Sequence, residues 1–282
     1  MIWCATKRSP LFFWVYSMKK IKFTKMVASG NDFIVIDQRP KTKDQRLQNL
    51  ARCLCDRKFG IGADGLLLLE KSGNADIRMR IFNADGSEAE MCGNGARCAA
   101  LYIGSSCRKI QTKAGIIESE VGKESIKIKL TEPKNLKFNL PVKVSGRLIR
   151  INFINTGVPH AVVFVEGLEK INIKELGRQI RMHEKFSPAG TNADFVEVLS
   201  KNAIRNRTYE RGVEDETLAC GTGSVAAALI TACSLQLTAD KINVHTQSGE
   251  VLKVYFQRSG NNFKNVWLEG KAKKVYTGVY DV

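Results

Sequence analysis

Met91-Cys-Gly-Asn-Gly-Ala-Arg-Cys-Ala-Ala-Leu-Tyr-Ile103 and Ala219-Cys-Gly-Thr-Gly-Ser-Val-Ala-Ala-Ala-Leu-Ile230 decide the fold. In each, a cysteine and a Gly-x-Gly turn open a run that is apolar almost all round. A helix of that kind has no face to give to water and must be buried on every side. Strands surround both. β-branched and alternating residues predict strands at 20–27, 33–37, 65–70 and 76–83 before the first run and at 109–113, 116–121 and 125–131 after it. The second run is flanked in the same way, by strands at 149–154, 160–165, 194–199 and 203–210 and then at 242–247, 250–256 and 264–270. A further helix interrupts each set, at 44–55 and at 172–182, the latter with Asn172 as N-cap. The expected class is α+β: two pseudo-symmetric domains, each a strongly curved, mostly antiparallel sheet wrapped around a central helix.

The halves also match residue by residue. Ser29-Gly30 corresponds to Thr156-Gly157, and Gly60 with Ala63-Asp64 to Gly190 with Ala193-Asp194. Arg80-Ile-Phe-Asn83 corresponds to Arg207-Thr-Tyr-Glu210, and Cys92-Gly-Asn-Gly95 to Cys220-Gly-Thr-Gly223. Ile110-x-Thr112-x-x-Gly115 corresponds to Val244-x-Thr246-x-x-Gly249. The order never breaks, so the chain reads as an internal duplication. The first domain is expected at 18–134, with a C-terminal strand at 268–282 returning to it, and the second at 135–267. The boundary is drawn where Pro133 and polar residues interrupt strand patterning in Thr131-Glu-Pro-Lys-Asn-Leu136 and just after. Residues 1–17 read as an extension that is dispensable or not native, because Met18-Lys-Lys-Ile begins the first alternating strand.

The 282 residues carry a formal net charge of +16, which raises the question of nucleic acid. The basic residues are spread along the chain and alternate with apolar ones, as in Ser125-Ile-Lys-Ile-Lys-Leu130, the pattern of solvated strand faces. No finger or RNA-recognition signature accompanies them. A basic nucleic-acid-binding protein is the alternative of another class; the expectation is no nucleic acid and no membrane. Eight cysteines in a chain without a signal peptide point to a reducing, cytoplasmic setting, with no metal expected because no Cys-x-x-Cys pair occurs. Cys53, Cys55, Cys98, Cys107 and Cys233 lie in or beside helical apolar patterns and are expected to face the core.

Cys92 and Cys220 stand apart because each opens a helix. A helix start carries unpaired N–H groups and partial positive charge, which stabilise a thiolate and predict a lowered thiol pKa. The same N–H groups cradle a carboxylate. A twofold duplication sets equivalent residues on opposite sides of a cleft. Inverting a stereocentre requires that arrangement: one group removes a proton from one face of a carbon while another delivers one to the opposite face. The site is therefore expected between the domains, on a small amino-acid substrate, without a cofactor.

Six motifs make the resemblance specific: Phe23-x-Lys-Met-x-x-x-Gly-Asn-Asp-Phe33, Gly60-Ile-Gly-Ala-Asp-Gly65, Phe82-Asn-Ala-Asp-Gly-Ser-Glu88, Met91-Cys-Gly-Asn-Gly95, Pro159-His160 and Thr217-Leu-Ala-Cys-Gly-Thr-Gly223. Over nearly all of 18–282 the sequence resembles the diaminopimelate epimerase family. The resemblance implies interconversion of LL- and meso-diaminopimelate, on the route to lysine and peptidoglycan, with no pyridoxal phosphate or metal. It implies Cys92 and Cys220 as the catalytic thiols, His160 beside them and Glu210 supporting them. It implies substrate contacts from Asn31, Asn83, Asn192, Glu210 and Arg211. It makes Gly93-Asn94 and Gly221-Thr222 the helix starts that hold the reacting carboxylate.

Three places depart from the common family pattern. Val158 stands where an asparagine usually precedes Pro-His, Gly65 where some members have glutamine, and 210–216 is one residue longer than usual. Loss of a polar contact at Val158 predicts a broader substrate range that includes glutamate, because a hydrogen-bonding site rejects analogues lacking a partner. A broader-specificity amino-acid racemase is thus the alternative within enzymes, and a homodimer is a possible assembly.

Overall fold

The computed structural model describes residues 20–37 and 44–281. The expected extension at 1–17 lies outside them. The first half runs β1 (Ile21–Ala28), β2 (Asn31–Asp37), α1 (Asp44–Cys55), β3 (Gly65–Glu70), β4 (Ile77–Asn83), β5 (Glu88–Ala89), α2 (Gly93–Ile103), β6 (Lys109–Thr112), β7 (Gly115–Val121) and β8 (Ile126–Lys129). It is followed by β9 (Lys134–Val144). The second half repeats that order: β10 (Arg147–Asn155), β11 (Pro159–Phe164), α3 (Ile173–Arg181), β12 (Asn192–Ser200), β13 (Ala203–Glu210), β14 (Asp215–Thr217), α4 (Gly221–Ser234), β15 (Lys241–His245), β16 (Val251–Ser259) and β17 (Asn262–Gly270). It closes with β18 (Lys273–Tyr280).

Strand pairing repeats as well. β2–β3 and β4–β6 are parallel, as are β11–β12 and β13–β15, while the remaining pairs are antiparallel. The matched Arg80 and Arg207 do equivalent work. Arg80 donates to both oxygens of Glu88 at 2.7 and 2.9 Å, and Arg207 to both of Glu216 at 2.6 and 2.8 Å. Such bidentate pairs are strong and directional. Each pins a two- or three-residue strand, β5 or β14, against its neighbour just before the helix that begins with Cys92 or Cys220.

The apolar strands are buried on both faces, which explains the unbroken run Leu66-Leu-Leu-Leu69. Phe33, Val35, Leu67 and Leu69 face inward to one cluster that contains α2 and α4 together. The alternate residues Ile34, Ile36, Leu66 and Leu68 face outward to Leu47, Ala51 and Leu54 of α1. In the second half Val162 and Val196 face the shared cluster, while Ala161, Val163, Ala193 and Phe195 meet Ile173 and Ile180 of α3. Each half is thus a sheet between an outer amphipathic helix and a central buried one. Burying each such side chain is worth about 1.5–3 kcal/mol. Asn172 caps α3 as expected, accepting from the backbone N–H of Glu175.

The connection between the halves differs from expectation. The stretch after Thr131 is the long strand β9, whose Leu136, Phe138, Leu140, Val142 and Val144 alternate with exposed residues. It pairs with β10, so it belongs to the second sheet. β18 does the converse and pairs with β1. β17 continues to Gly270, where it is hydrogen-bonded both to β16 and to the first-half strand β8. The β8–β17 pairing joins the two sheets. Among the described residues no helix is long and apolar enough to cross a membrane.

Candidate active site

The two buried helices begin side by side. Cys92 and Cys220 are their N-caps, both with extended backbone. A Cβ on Gly221 would lie 3.9 Å from Gly93 Cα, so the two Gly-x-Gly turns nearly touch. Asn94, in the first turn of α2, donates to the carbonyl of Ala219 at 3.3 Å, the peptide that leads into Cys220. Gly223 N–H points at Cys220 Sγ, 3.4 Å away, and Thr222 Oγ1 stands 3.4 Å from the same sulfur. Two helix starts, each with first-turn N–H groups, therefore lie side by side between the halves. All seven cysteines among the described residues are free thiols.

Each half pairs a polar side chain with a carboxylate. In the first, Asn31 Oδ1 lies 4.0 Å from Cys92 Sγ, and its Nδ2 donates to Asp64 at 2.7 Å. Asp64 is itself gripped by Arg57, which also bridges to Asp32; Lys25 pairs with Asp32 at 2.8 Å. Those cations outweigh burial and hold the Asp32 carboxyl down at about 2. In the second half, His160 Nδ1 meets Asp194 Oδ2 at 2.7 Å with both side chains sealed from solvent. The other Asp194 oxygen accepts from Thr208 at 2.7 Å. Asp64 and Asp194 are the residues matched in the sequence repeat. Asn192 joins the remaining parts: its Oδ1 accepts from the Arg211 N–H at 2.7 Å, and its Nδ2 lies 3.4 Å from His160 Nε2.

The thiols do not have the lowered pKa expected of helix-start cysteines. Burial pushes both up, Cys220 well above the ordinary thiol range, and the Glu210 carboxylate raises them further. The N–H groups of Gly95 and Asn94 on Cys92, and of Gly223 on Cys220, act in the expected direction. They are outweighed because a thiolate loses more hydration on burial than a few N–H dipoles return. Glu210, the last residue of β13, is raised by burial too, and His160 works against that shift. One carboxylate thus acts on both sulfurs, which places the pair and Glu210 within electrostatic range of one another. Burial and the Glu210 carboxylate thus favour the protonated form of both thiols, and a positive charge brought beside them would favour the thiolate.

Comparison with known proteins identifies the family. The sequence model of the diaminopimelate epimerase family matches residues 23–136 and 152–275, one segment on each half. The chain belongs to that family. A diaminopimelate epimerase of Aquifex aeolicus is 42% identical over 275 residues, covering 92% of this chain and 97% of its own. That of Methanocella arvoryzae is 42% identical over 283 residues, covering 94% and 98%. Among solved structures, a Bacillus anthracis phenazine biosynthesis protein of the PhzF family superposes with TM-score 0.73 at 21% identity, covering 94% of this chain and 100% of that one. A hydroxyproline epimerase from Agrobacterium vitis, with bound trans-4-hydroxy-L-proline, gives 0.71 at 16% identity, covering 93% and 91%. Both show that the duplicated fold is shared.

Within this epimerase-family chain, contacts join Asn31 to Cys92, Thr222 to Cys220 and the Gly93-Asn94 turn to the Ala219–Gly221 segment, a second set joins His160, Asn192 and Arg211, and Glu210 acts on both thiols through its charge. Asn83 is exposed at the end of β4, across from Gly65 on β3, with its amide donating to Ser87. Cys53 is exposed rather than core-facing, on the outer side of α1 with its sulfur 3.8 Å from the Tyr280 hydroxyl. Helical spacing put it in the apolar pattern, but Ala51, Leu54 and Cys55 fill the buried face. Sequence reasoning missed Asp64 and Asp194 as partners of the site, although the Ala-Asp pair repeats in both halves. It also missed Arg97, which is wholly buried in the second turn of α2.

Proposed function

We propose that the chain interconverts LL- and meso-2,6-diaminopimelate by proton transfer between Cys92, Cys220 and the α-carbon. One sulfur, as thiolate, takes the α-proton, and the C–H electron pair passes into the adjoining carboxylate as an enolate-like carbanion. The N–H groups of Gly93-Asn94 and Gly221-Thr222 stabilise that charge as it develops. The opposite thiol delivers its proton to the other face of the carbon. Inversion leaves the two sulfurs with exchanged protonation states. No external redox partner or cofactor enters this balance.

The observation that carries the proposal is the adjacency of two cysteine-capped helix starts with one carboxylate, Glu210, acting on both thiols. His160, held by Asp194, and Glu210 would relay protons to the sulfurs; Asn31, Asn83, Asn192 and Arg211 would bind the distal part of the substrate. The test is label incorporation at the α-carbon in deuterated water, with inversion, for LL-diaminopimelate against glutamate and proline. Glutamate or proline turning over in its place would keep the chemistry and replace the substrate.

Val158, half-buried where an asparagine is common in the family, supports a wider tolerance of acidic amino acids. Val158→Asn should sharpen preference for diaminopimelate over glutamate; an unchanged ratio of kcat/KM values contradicts this. We further propose two domains divided near residue 134 with β18 assigned to the first, a cytoplasmic homodimer, and no nucleic-acid partner. Exposed Val275, Tyr276 and Val279 on β18 support self-association. Sedimentation would then give twice the chain mass, and a gel shift at low salt would show no complex.

A further inference from the structure

Arg97 is sealed from solvent, although nothing in the helix it occupies demands a cation there. The matched start of α4 carries Val225 in the same place and forms a longer helix. A buried guanidinium is costly unless it is fully engaged. Arg97 is engaged across the junction of the two halves. Its Nη2 donates to Asn94 Oδ1 at 2.5 Å and to Ser29 Oγ at 2.9 Å. Its Nη1 donates to the Lys271 carbonyl at 3.1 Å and lies 3.6 Å from Glu250. Glu250 in turn accepts from Ser29 and from the Lys271 N–H, each at 2.5 Å. Arg97 Nε has no partner, so the side chain is aimed by its terminal nitrogens.

Asn94 connects this network to the chemistry. With its oxygen occupied by Arg97, its amide nitrogen must face the carbonyl of Ala219, one peptide before Cys220. Two hydrogen bonds therefore lead from the guanidinium in the second turn of the Cys92 helix to the peptide that carries the other thiol. We propose that Arg97 is a positioning residue of the epimerase. By holding Asn94 against Ala219 it fixes the spacing of Cys92 and Cys220 across the α-carbon. The proposal rests on the assignment of those two cysteines as base and acid. Glu250 and Ser29 complete the clamp from the second and first halves.

The test is epimerisation and solvent-label kinetics of Arg97→Lys and of the double variant Arg97→Met/Glu250→Gln, which avoids stranding a buried carboxylate. Melting curves are taken alongside. A lysine reaches Asn94 but not Ser29 and Lys271 together, so kcat should fall in the order wild type, Arg97→Lys, double variant. The double variant should lose about 10–100-fold in kcat, as expected for roughly 1 Å of misplacement, with KM within about threefold of wild type. A folded double variant with kcat within twofold of wild type overturns the proposal. So does a loss in which kcat and KM change together with broadened melting, which marks a purely structural residue. If the double variant does not fold, Arg97→Lys decides alone by the same twofold criterion. Cys92→Ala and Cys220→Ala run in parallel: activity surviving in them removes the thiol assignment itself, whatever the Arg97 variants do.

Discussion

Gly223→Ala gives the sharpest mechanical test of how the Cys220 helix start is seated. A Cβ at this position would lie 2.3 Å from Asp194 Oδ1, 3.1 Å from Thr208 Oγ1 and 3.2 Å from Cys220 Cβ. The first distance is about 1 Å short of an ordinary contact. Asp194 cannot give way cheaply, because His160 and Thr208 hold both its oxygens inside the core. The first turn of α4 must move instead, carrying Cys220 and the N–H that points at its sulfur. Overpacking of this kind costs about 1–3 kcal/mol. For a chain of this size that lowers Tm by roughly 2–10 °C. Displacing the thiol by a similar distance should cost about 100-fold in kcat. Calorimetry and the deuterium-label assay read the two effects separately. Gly73→Ala is the control, since a Cβ there meets nothing within 4 Å. Wild-type kcat and Tm in Gly223→Ala would refute the packing of Asp194 beneath Cys220.

Glu210 governs the pH response. Both thiols titrate above the ordinary range, so each keeps its proton to higher pH and the base appears late as pH rises. The bell of kcat/KM against pH, set by the pair together, should therefore lie on the alkaline side of neutrality. Glu210→Gln removes the negative charge that raises both sulfurs; the bell should move to lower pH while kcat falls. A shift to higher pH would reverse the sign of the proposed coupling. Because the two helix starts nearly touch, mild oxidation should join Cys92 to Cys220, abolish activity, and be reversed by reductant. Peptide mapping that finds these cysteines still reduced in an inactivated sample would contradict it.

The duplication was legible because it is written in spacing: paired Gly, Asp, Arg and Cys residues recur in one order, and the structure gives Arg80 and Arg207 equivalent hydrogen bonds. The central helices were legible because an all-apolar run has only one place to go. β9 was harder to read. Its period-two pattern from Leu136 to Val144 is present, but Pro133 and half-exposed faces masked it, and pairing across halves leaves no local mark. The thiol pKa values could not be read from helix position alone, since depth of burial decides the balance between lost hydration and N–H dipoles. Arg97 was hidden for a similar reason. An arginine four residues after Gly93 looks like a solvated charge until Ser29, Glu250 and Lys271, distant in sequence, close around it.

The central claim is that two thiols share one proton transfer across the α-carbon. Its most direct test is LL-diaminopimelate in deuterated water with wild type, Cys92→Ala and Cys220→Ala. Wild type should give inversion with one deuterium at the α-carbon, and both variants should lose inversion. A single-cysteine variant that still inverts the centre at the wild-type rate would contradict it.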